Sequence, residues 1–227
     1  MNLILMALAP VAIIILYIYV KDKYEKEPKR LLLYCFLLGA IVSVVITTVL
    51  YLLSTYIIQL PDYYSIGQQF VKAFVVVAMI EEFSKYVIVR YYAQPKEAFN
   101  EPFDGIVYAV MVSMGFAATE NIMYVVTGGS HVALLRAFTA VPAHATVAIL
   151  MGYFMGKAKF SNNRIKLNLL GLALAILFHG AYDFFLFIDF VPGIWIGAFV
   201  SLIVSVILSH HAIKKHQERS HFKIQKD

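Results

Sequence analysis

The sequence predicts an all-α fold, a polytopic membrane helix bundle of about seven transmembrane helices. Of the 227 residues, 61% are hydrophobic and only 15% are charged, whereas a soluble domain is close to half apolar and one-quarter charged. The apolar residues also form runs near the roughly 20 residues that a helix needs to cross a bilayer. The predicted spans are 3–20, 31–53, 70–90, 104–126, 136–157, 167–187 and 193–210.

Basic residues follow every second predicted span. Lys and Arg cluster after spans one, three, five and seven, and the connections 54–69, 127–135 and 188–192 contain none. Because loops rich in Lys and Arg stay in the cytoplasm, we expect the N-terminus outside and the C-terminus inside. Residues 1–227 are predicted to form a single membrane-embedded domain, with 211–227 as a basic cytoplasmic tail.

The composition also indicates which partners to expect. The net charge is +5, but in a membrane protein this excess marks cytoplasmic loops. No basic patch is interleaved with exposed aromatic residues, so the lipid bilayer is expected as a partner and nucleic acid is not. The histidines of the tail, His216 among them, are interpreted as part of a solvated basic face near anionic lipid. Cys35 is the only cysteine, so no intrachain disulfide can form.

Polar side chains inside the apolar runs are the main functional signal. An ionisable group in the hydrocarbon costs roughly 3 kcal/mol or more, so it usually faces the bundle interior and has a function. These polar side chains are Glu81, Glu82 and Lys85 on the third span, Glu120 and Asn121 on the fourth, His144 on the fifth, and His179 and Asp183 on the sixth. At 1.5 Å per residue, Glu81, Glu120, His144 and His179 lie roughly 9–16 Å from the predicted outer ends of their spans, and Asp183 lies one turn nearer the outside. One layer in the outer half of the bilayer could therefore hold these groups.

Two arrangements of these groups suit the activation of water. In the first, Glu120, His144 and His179, with or without Asp183, bind a metal ion, because carboxylate oxygen together with imidazole nitrogen suits Zn²⁺. Glu81 or Glu82 then takes the proton from water.

The second arrangement uses no metal. Glu81 activates water directly with the help of His144, and His179 stabilises the oxyanion together with Asn121 or Asp183. The sequence by itself leaves both arrangements open.

Other functions fit parts of the pattern. Buried Glu, His and Asp also form proton relays, so a proton-coupled transporter or channel is the alternative function. The predicted spans show no inverted repeat of the kind common in transporters. Neither a His-Glu-x-x-His helix nor a Gly-x-Ser-x-Gly turn is present, which disfavours the usual zinc and serine hydrolase sites.

Several motifs together resemble those of the PrsW-type intramembrane protease family, which is related to the CAAX prenyl protease and bacteriocin-processing superfamily. Residues 81–85, Glu-Glu-Phe-Ser-Lys, look like the family motif Glu-Glu-x-x-Lys. Residues 116–121, Phe-Ala-Ala-Thr-Glu-Asn, are similar to its motif Phe-x-x-x-Glu-Asn. The other matching positions are His144 and the segments 179–183, 21–28 and 103–108.

The resemblance implies an intramembrane endopeptidase of the bacterial plasma membrane. It further implies site-1 cleavage of a membrane-anchored anti-sigma factor on its extracytoplasmic side, which would release a sigma factor in a stress response. The predicted catalytic residues are Glu81, Glu82, His144 and His179, and the predicted supporting residues are Lys85, Asn121 and Asp183.

Overall fold

The computed structural model describes residues 2–220 and 222–223, which form helices joined by short connections without any β-strand. The predicted all-α fold is therefore confirmed, and each predicted span coincides for most of its length with one helix. We number the helices α1 Leu3–Lys21, α2 Lys29–Ile57, α3 66–93, α4 Pro102–Phe138, α5 Ala140–Lys159, α6 Arg164–Phe187 and α7 Ile196–Glu218. π-Helical turns interrupt α2 at Gly39–Ser43 and α3 at Lys72–Ala78 and Val89–Ala93.

Most of these helices can cross a membrane. Within the described part of the chain, five stretches are long and apolar enough. One of them, Pro102–Lys159, is 58 residues long and contains both α4 and α5. Helix α3 is not among these five stretches because it carries charged residues in its interior, whereas the interiors of α1 and α2 carry none. The chain is a multi-pass membrane protein, and the count of seven crossings and the outward N-terminus stay predictions.

One end of the bundle gathers the connections rich in Lys and Arg. Loop 22–28 meets loop 94–101, where Asn100 Nδ2 donates a hydrogen bond of 3.0 Å to Glu25 Oε1. Lys159, at the end of α5, donates to two carbonyl oxygens of loop 94–101. We call this end, together with the last turn of α7, the basic end.

The other end gathers connections that contain no Lys or Arg. Tyr63, between α2 and α3, donates a hydrogen bond of 2.5 Å to Asp189, between α6 and α7. The rings of Tyr63 and Tyr64 also pack against Phe190. We call this end the tyrosine end. The helices run between the two ends.

Helix α4 is the centre of the bundle, and all of its residues from 103 to 118 are buried. Glycines let other helices approach its backbone closely, as is common between membrane helices. A Cβ atom at Gly115 would lie 2.0 Å from the carbonyl oxygen of Phe36 in α2. A Cβ atom at Gly152 in α5 would lie 2.3 Å from the carbonyl oxygen of Gly105.

The segment 127–135 differs from the predicted loop. Helix α4 continues through it to Phe138 and is broken at Gly129, which has φ 74° and ψ −164°. Glycine adopts this conformation readily because it has no Cβ atom. The chain therefore turns here within a largely helical segment.

The predicted tail, 211–227, also differs in the structure. Helix α7 continues to Glu218 and buries Ala212, Ile213 and His216. The His216 ring stacks on Tyr153 of α5 with the ring centroids 4.2 Å apart, so it is packed between helices and not solvated. Within the predicted tail, His221 and 224–227 lie outside the described residues.

Candidate active site

Helix α3 carries three ionisable side chains within little more than one turn, and all are buried. Glu81 is 5% exposed, Glu82 1% and Lys85 0%. Lys85 Nζ lies 2.7 Å from Glu82 Oε1 and 3.6 Å from Glu81 Oε2. The spacings i, i+3 and i, i+4 bring these side chains to one side of the helix. The ammonium thus balances charge on two carboxylates inside the bundle.

Two histidines from other helices face these groups. His144 of α5 places Nδ1 3.2 Å from Lys85 Nζ, and His179 of α6 places Nδ1 2.7 Å from Glu82 Oε1. The two rings are 5.4 Å apart and nearly perpendicular. An ammonium group can only donate hydrogen bonds, so Lys85 donates to His144 Nδ1. A neutral His144 ring therefore carries its proton on Nε2.

The other side of His144 contacts α4. His144 Nε2 donates a hydrogen bond of 2.9 Å to Glu120 Oε2, and Arg136 Nη2 donates one of 2.7 Å to the same oxygen. Arg136 Nε also donates to Asn121 Oδ1 at 2.7 Å. Asn121 is fully buried, and its amide nitrogen donates to the carbonyl oxygen of Ala7 in α1. Asn121 thus positions Arg136 and joins α4 to α1.

Two further contacts complete the cluster. His179 Nε2 lies 3.3 Å from Asp183 Oδ2, one turn along α6. Tyr51 of α2 donates a hydrogen bond of 2.7 Å to Glu81 Oε1. Side chains from five helices, α2 to α6, therefore meet at one place.

A cavity of about 720 Å³ opens onto this cluster. Its volume is within the range of roughly 300–1,000 Å³ that is typical of ligand pockets. Glu82, Lys85 and Asn121 do not reach it and lie behind the lining. The predicted site residues that line it are Glu81, Glu120, His144, His179 and Asp183.

Four residues of the cluster could bind a metal ion. Glu81, Glu82, His144 and His179 each offer a ligand atom, and these atoms all lie within 4.8 Å of one another. The Oε2 atoms of Glu81 and Glu82 are buried without a hydrogen-bond partner. Carboxylate and imidazole donors are those that zinc accepts, so the side chains fit a divalent metal.

This group differs from the predicted ligand set in its carboxylates. The sequence predicts Glu120 beside His144 and His179, but the Oε2 atom of Glu120 is bonded to Arg136 and to His144 Nε2. An oxygen that already accepts a hydrogen bond from a guanidinium is a weaker ligand than the Oε2 atoms of Glu81 and Glu82, which accept none. The assignment of ligands stays a prediction.

Arg136 and Tyr51 contact predicted site residues and are absent from the sequence-based prediction. The sequence contains a signal that could have identified Arg136, because an arginine at the outer end of a predicted span is an exception to the distribution of Lys and Arg. The sequence contains no such signal for Tyr51, since tyrosine is frequent in membrane helices close to the interface.

The chain matches a known protein family over most of its length. A family model described as "PrsW family intramembrane metalloprotease" matches residues 27–210. The chain belongs to the PrsW family. Three relatives, each named "Protease PrsW", show the extent of similarity. The one from Oceanobacillus iheyensis is 41% identical over 180 residues, which are 79% of this chain and 80% of the relative.

The PrsW relatives from two other bacteria are similar over comparable lengths. The Bacillus subtilis protein is 35% identical over 79% of this chain and 80% of its own length. The Clostridioides difficile protein is 34% identical over 92% of this chain and 87% of its own length. No solved structure matches the chain significantly. The expected family is confirmed, and the protein is a peptidase of the bacterial cell membrane.

Proposed function

We propose that this PrsW-family peptidase makes the site-1 cut in a membrane-anchored anti-sigma factor, on the extracytoplasmic side, with water activated by Glu81. The meeting of Glu81, His144 and His179 at one cavity supports the chemistry. The motif resemblance supports the choice of substrate, and the positive-inside pattern supports the side of the membrane.

Glu81 is the general base in this scheme. Of the two acids on α3, only Glu81 lines the cavity. Its Oε1 atom is held by the Tyr51 hydroxyl, while its buried Oε2 atom has no donor. Water beside Oε2 gives a proton to this carboxylate as its oxygen attacks the scissile carbonyl carbon. The protonated carboxyl then returns that proton to the departing amine nitrogen.

Glu82 is a positioning residue. It accepts hydrogen bonds from Lys85 and His179 and lies behind the cavity lining. A carboxylate that holds a histidine ring fixes both the orientation and the tautomer of that ring. His179 is thereby directed toward the cavity from α6.

The cluster suits a metalloenzyme as well as a metal-free hydrolase. Glu81, Glu82, His144 and His179 would hold a zinc ion, which when bound supplies a Lewis acid and lowers the pKa of water. Lys85 contacts three of these four residues, so its ammonium competes with a metal for the same atoms. In the metal-free arrangement, His179 donates to the oxyanion. We assign Asn121 no such role, because it does not line the cavity and its amide nitrogen donates to Ala7.

The test is Glu81→Gln, assayed with a panel of membrane-anchored anti-sigma factors in bacterial membranes. We expect cleavage to fall by about 100-fold or more, because general-base catalysis contributes at least that factor. Zinc content and the effect of a chelator, measured on the same purified enzyme, distinguish the two arrangements.

A matched control is Glu97→Gln, which changes an exposed acid in loop 94–101 and should keep full activity. Full activity of Glu81→Gln would contradict the assigned base. The enzyme could instead cut other membrane proteins in a Glu81-dependent way and leave every anti-sigma factor intact. That result would contradict the proposed substrate but not the proposed peptidase chemistry.

A further inference from the structure

A second group of carboxylates lies at the basic end, away from the active site. Glu25 and Glu27 of loop 22–28 and Asp104 of α4 each offer an oxygen, and these atoms lie within 4.8 Å of one another. Glu27 is 3% exposed and Asp104 0%. Sixteen residues of α4 separate Asp104 from Glu120, which is about 24 Å of helix at 1.5 Å per residue. The two groups are therefore separate sites.

Several oxygens of this group are buried and accept no hydrogen bond. They are both carboxylate oxygens of Glu27, Asp104 Oδ1, Glu25 Oε2 and Asn100 Oδ1. Burial of a carboxylate without a partner costs several kcal/mol, which such a group normally avoids by binding a proton or a cation. Glu27 is the clearest case, since its side chain is almost fully buried and both oxygens lack a donor.

The hydrogen bonds that the group makes hold its side chains in position. The backbone N–H groups of Asn100 and Glu101 each donate to Asp104 Oδ2 at 2.7 Å. Asn100 Nδ2 donates to Glu25 Oε1 at 3.0 Å. These donors fix Asn100 between Glu25 and Asp104, with its amide oxygen still available. Loop 94–101 therefore offers a further buried oxygen, Asn100 Oδ1, that accepts no hydrogen bond.

Two ammonium groups of the basic end contact backbone carbonyl oxygens. The ion pairs of the described residues involve none of Glu25, Glu27 and Asp104. Lys26 donates to the backbone carbonyl oxygens of Tyr19 and Asp22, and Lys159 donates to those of loop 94–101. These two positive charges of the basic end thus contact carbonyl groups. The carboxylates of the group can therefore bind another cation.

Several carboxyl groups crowd together at this place, since Asp22 is also almost fully buried close to Glu27. A bound cation would relieve the repulsion between these groups.

We propose that Glu25, Glu27, Asp104 and the side-chain oxygen of Asn100 bind a hard divalent cation of the Ca²⁺ or Mg²⁺ class. Such cations select carboxylate and amide oxygens and complete their shell with water. The cation joins loop 22–28, loop 94–101 and the start of α4, so it stabilises the basic end of the bundle. This site is independent of the proposed function and of any metal in the active site.

The test follows thermal unfolding of the purified full-length protein in detergent. The protein is stripped with a chelator and then titrated with CaCl₂ or MgCl₂ in separate arms. We expect a saturable rise in Tm for the wild type with at least one of the two ions. Glu25→Gln should raise the midpoint concentration by about tenfold or more, as loss of groups around a metal does. Glu27→Gln should abolish the rise.

Two controls separate this site from others. Glu97→Gln, in the same end of the molecule, should respond like the wild type. Glu81→Gln should also keep the response, which excludes binding at the active site as its cause. The half-exposed Glu25 provides the decisive variant if Glu27→Gln does not fold. Equal responses in the wild type and Glu25→Gln, or no response to either ion, would overturn the proposal in favour of a shared proton.

Discussion

At the scale of single residues, the active site depends on one buried ammonium. Lys85 is fully buried and contacts Glu82, Glu81 and His144. Replacement by methionine keeps the length of the side chain and leaves two buried carboxylates without their cation. Loss of one partner of a buried ion pair costs roughly 3–5 kcal/mol. We expect Lys85→Met to lower the free energy of unfolding by about that amount, measured in chelator so that no metal substitutes for the ammonium.

Two variants make this prediction specific to the ion pair. Lys72→Met removes an exposed lysine of the same helix, and should change stability by less than about 0.5 kcal/mol. The double variant Glu82→Gln/Lys85→Met removes both charges and should recover a large part of the loss. A double variant no more stable than Lys85→Met would show that packing, and not charge, is what Lys85 contributes.

At the scale of elements, the contact between α2 and α4 is set by glycine. A Cβ atom at Gly115 would lie 2.0 Å from the carbonyl oxygen of Phe36 and 2.9 Å from the amide nitrogen of Ala40. Backbone atoms cannot move independently, so Gly115→Ala must shift α2 as a unit. Overpacking of this kind costs about 1–3 kcal/mol. Because α2 also carries Tyr51, which holds Glu81, we expect reduced cleavage along with a lower Tm.

The matched substitution for this contact is Gly67→Ala in α3. A Cβ atom there would meet only Ser65 Oγ, at 3.9 Å. Alanine should be neutral, or stabilising by up to about 1 kcal/mol, because it restricts the unfolded chain. If the two alanine variants unfolded at the same temperature, close approach of α2 and α4 would not explain the role of Gly115.

The elements also show which features a sequence can predict. Ionisable residues inside apolar runs are easy to recognise in a sequence, so the sequence alone predicts Glu81, Glu120, His144 and His179 as site residues, and the structure brings them to one cavity. The contact of His179 with Asp183 follows from a four-residue spacing. Which of the two acids on α3 faces the cavity could not be predicted. Both acids lie in the α-helical stretch Met79–Ile88, and the π-helical turn Lys72–Ala78 before it changes its rotation relative to the start of α3. Counting 100° per residue from the start of the helix therefore fails.

The other contacts of the two sites depend on packing between distant segments, which the sequence does not show. Tyr51 is one tyrosine among fifteen in the sequence, and only the crossing of α2 and α3 brings it to Glu81. The acids of loop 22–28 look like solvated loop charges until α4 places Asp104 beside them. A periodic pattern within one segment cannot predict contacts between residues that are almost 80 positions apart.

At the scale of the whole molecule, α3 determines the topology. It is too rich in charge to qualify as a span by hydropathy, yet it connects the tyrosine end to the basic end. Tyr63, just before α3, bonds to Asp189 at the tyrosine end, and Asn100, just after α3, bonds to Glu25 at the basic end. A helix that joins opposite ends of the bundle has to cross the bilayer if its neighbours α2 and α4 do.

Labelling of single cysteines tests this topology. Cys35 is buried, so Cys35→Ala provides a background for Tyr64→Cys at the tyrosine end and Glu97→Cys at the basic end. Because Lys and Arg collect at the basic end, that end should face the cytoplasm. A membrane-impermeant maleimide should therefore label Tyr64→Cys in intact cells and Glu97→Cys only after permeabilisation. Labelling of both variants from one side would mean that α3 does not cross, and the reverse pattern would invert the bundle and move the proposed cleavage to the cytoplasmic side.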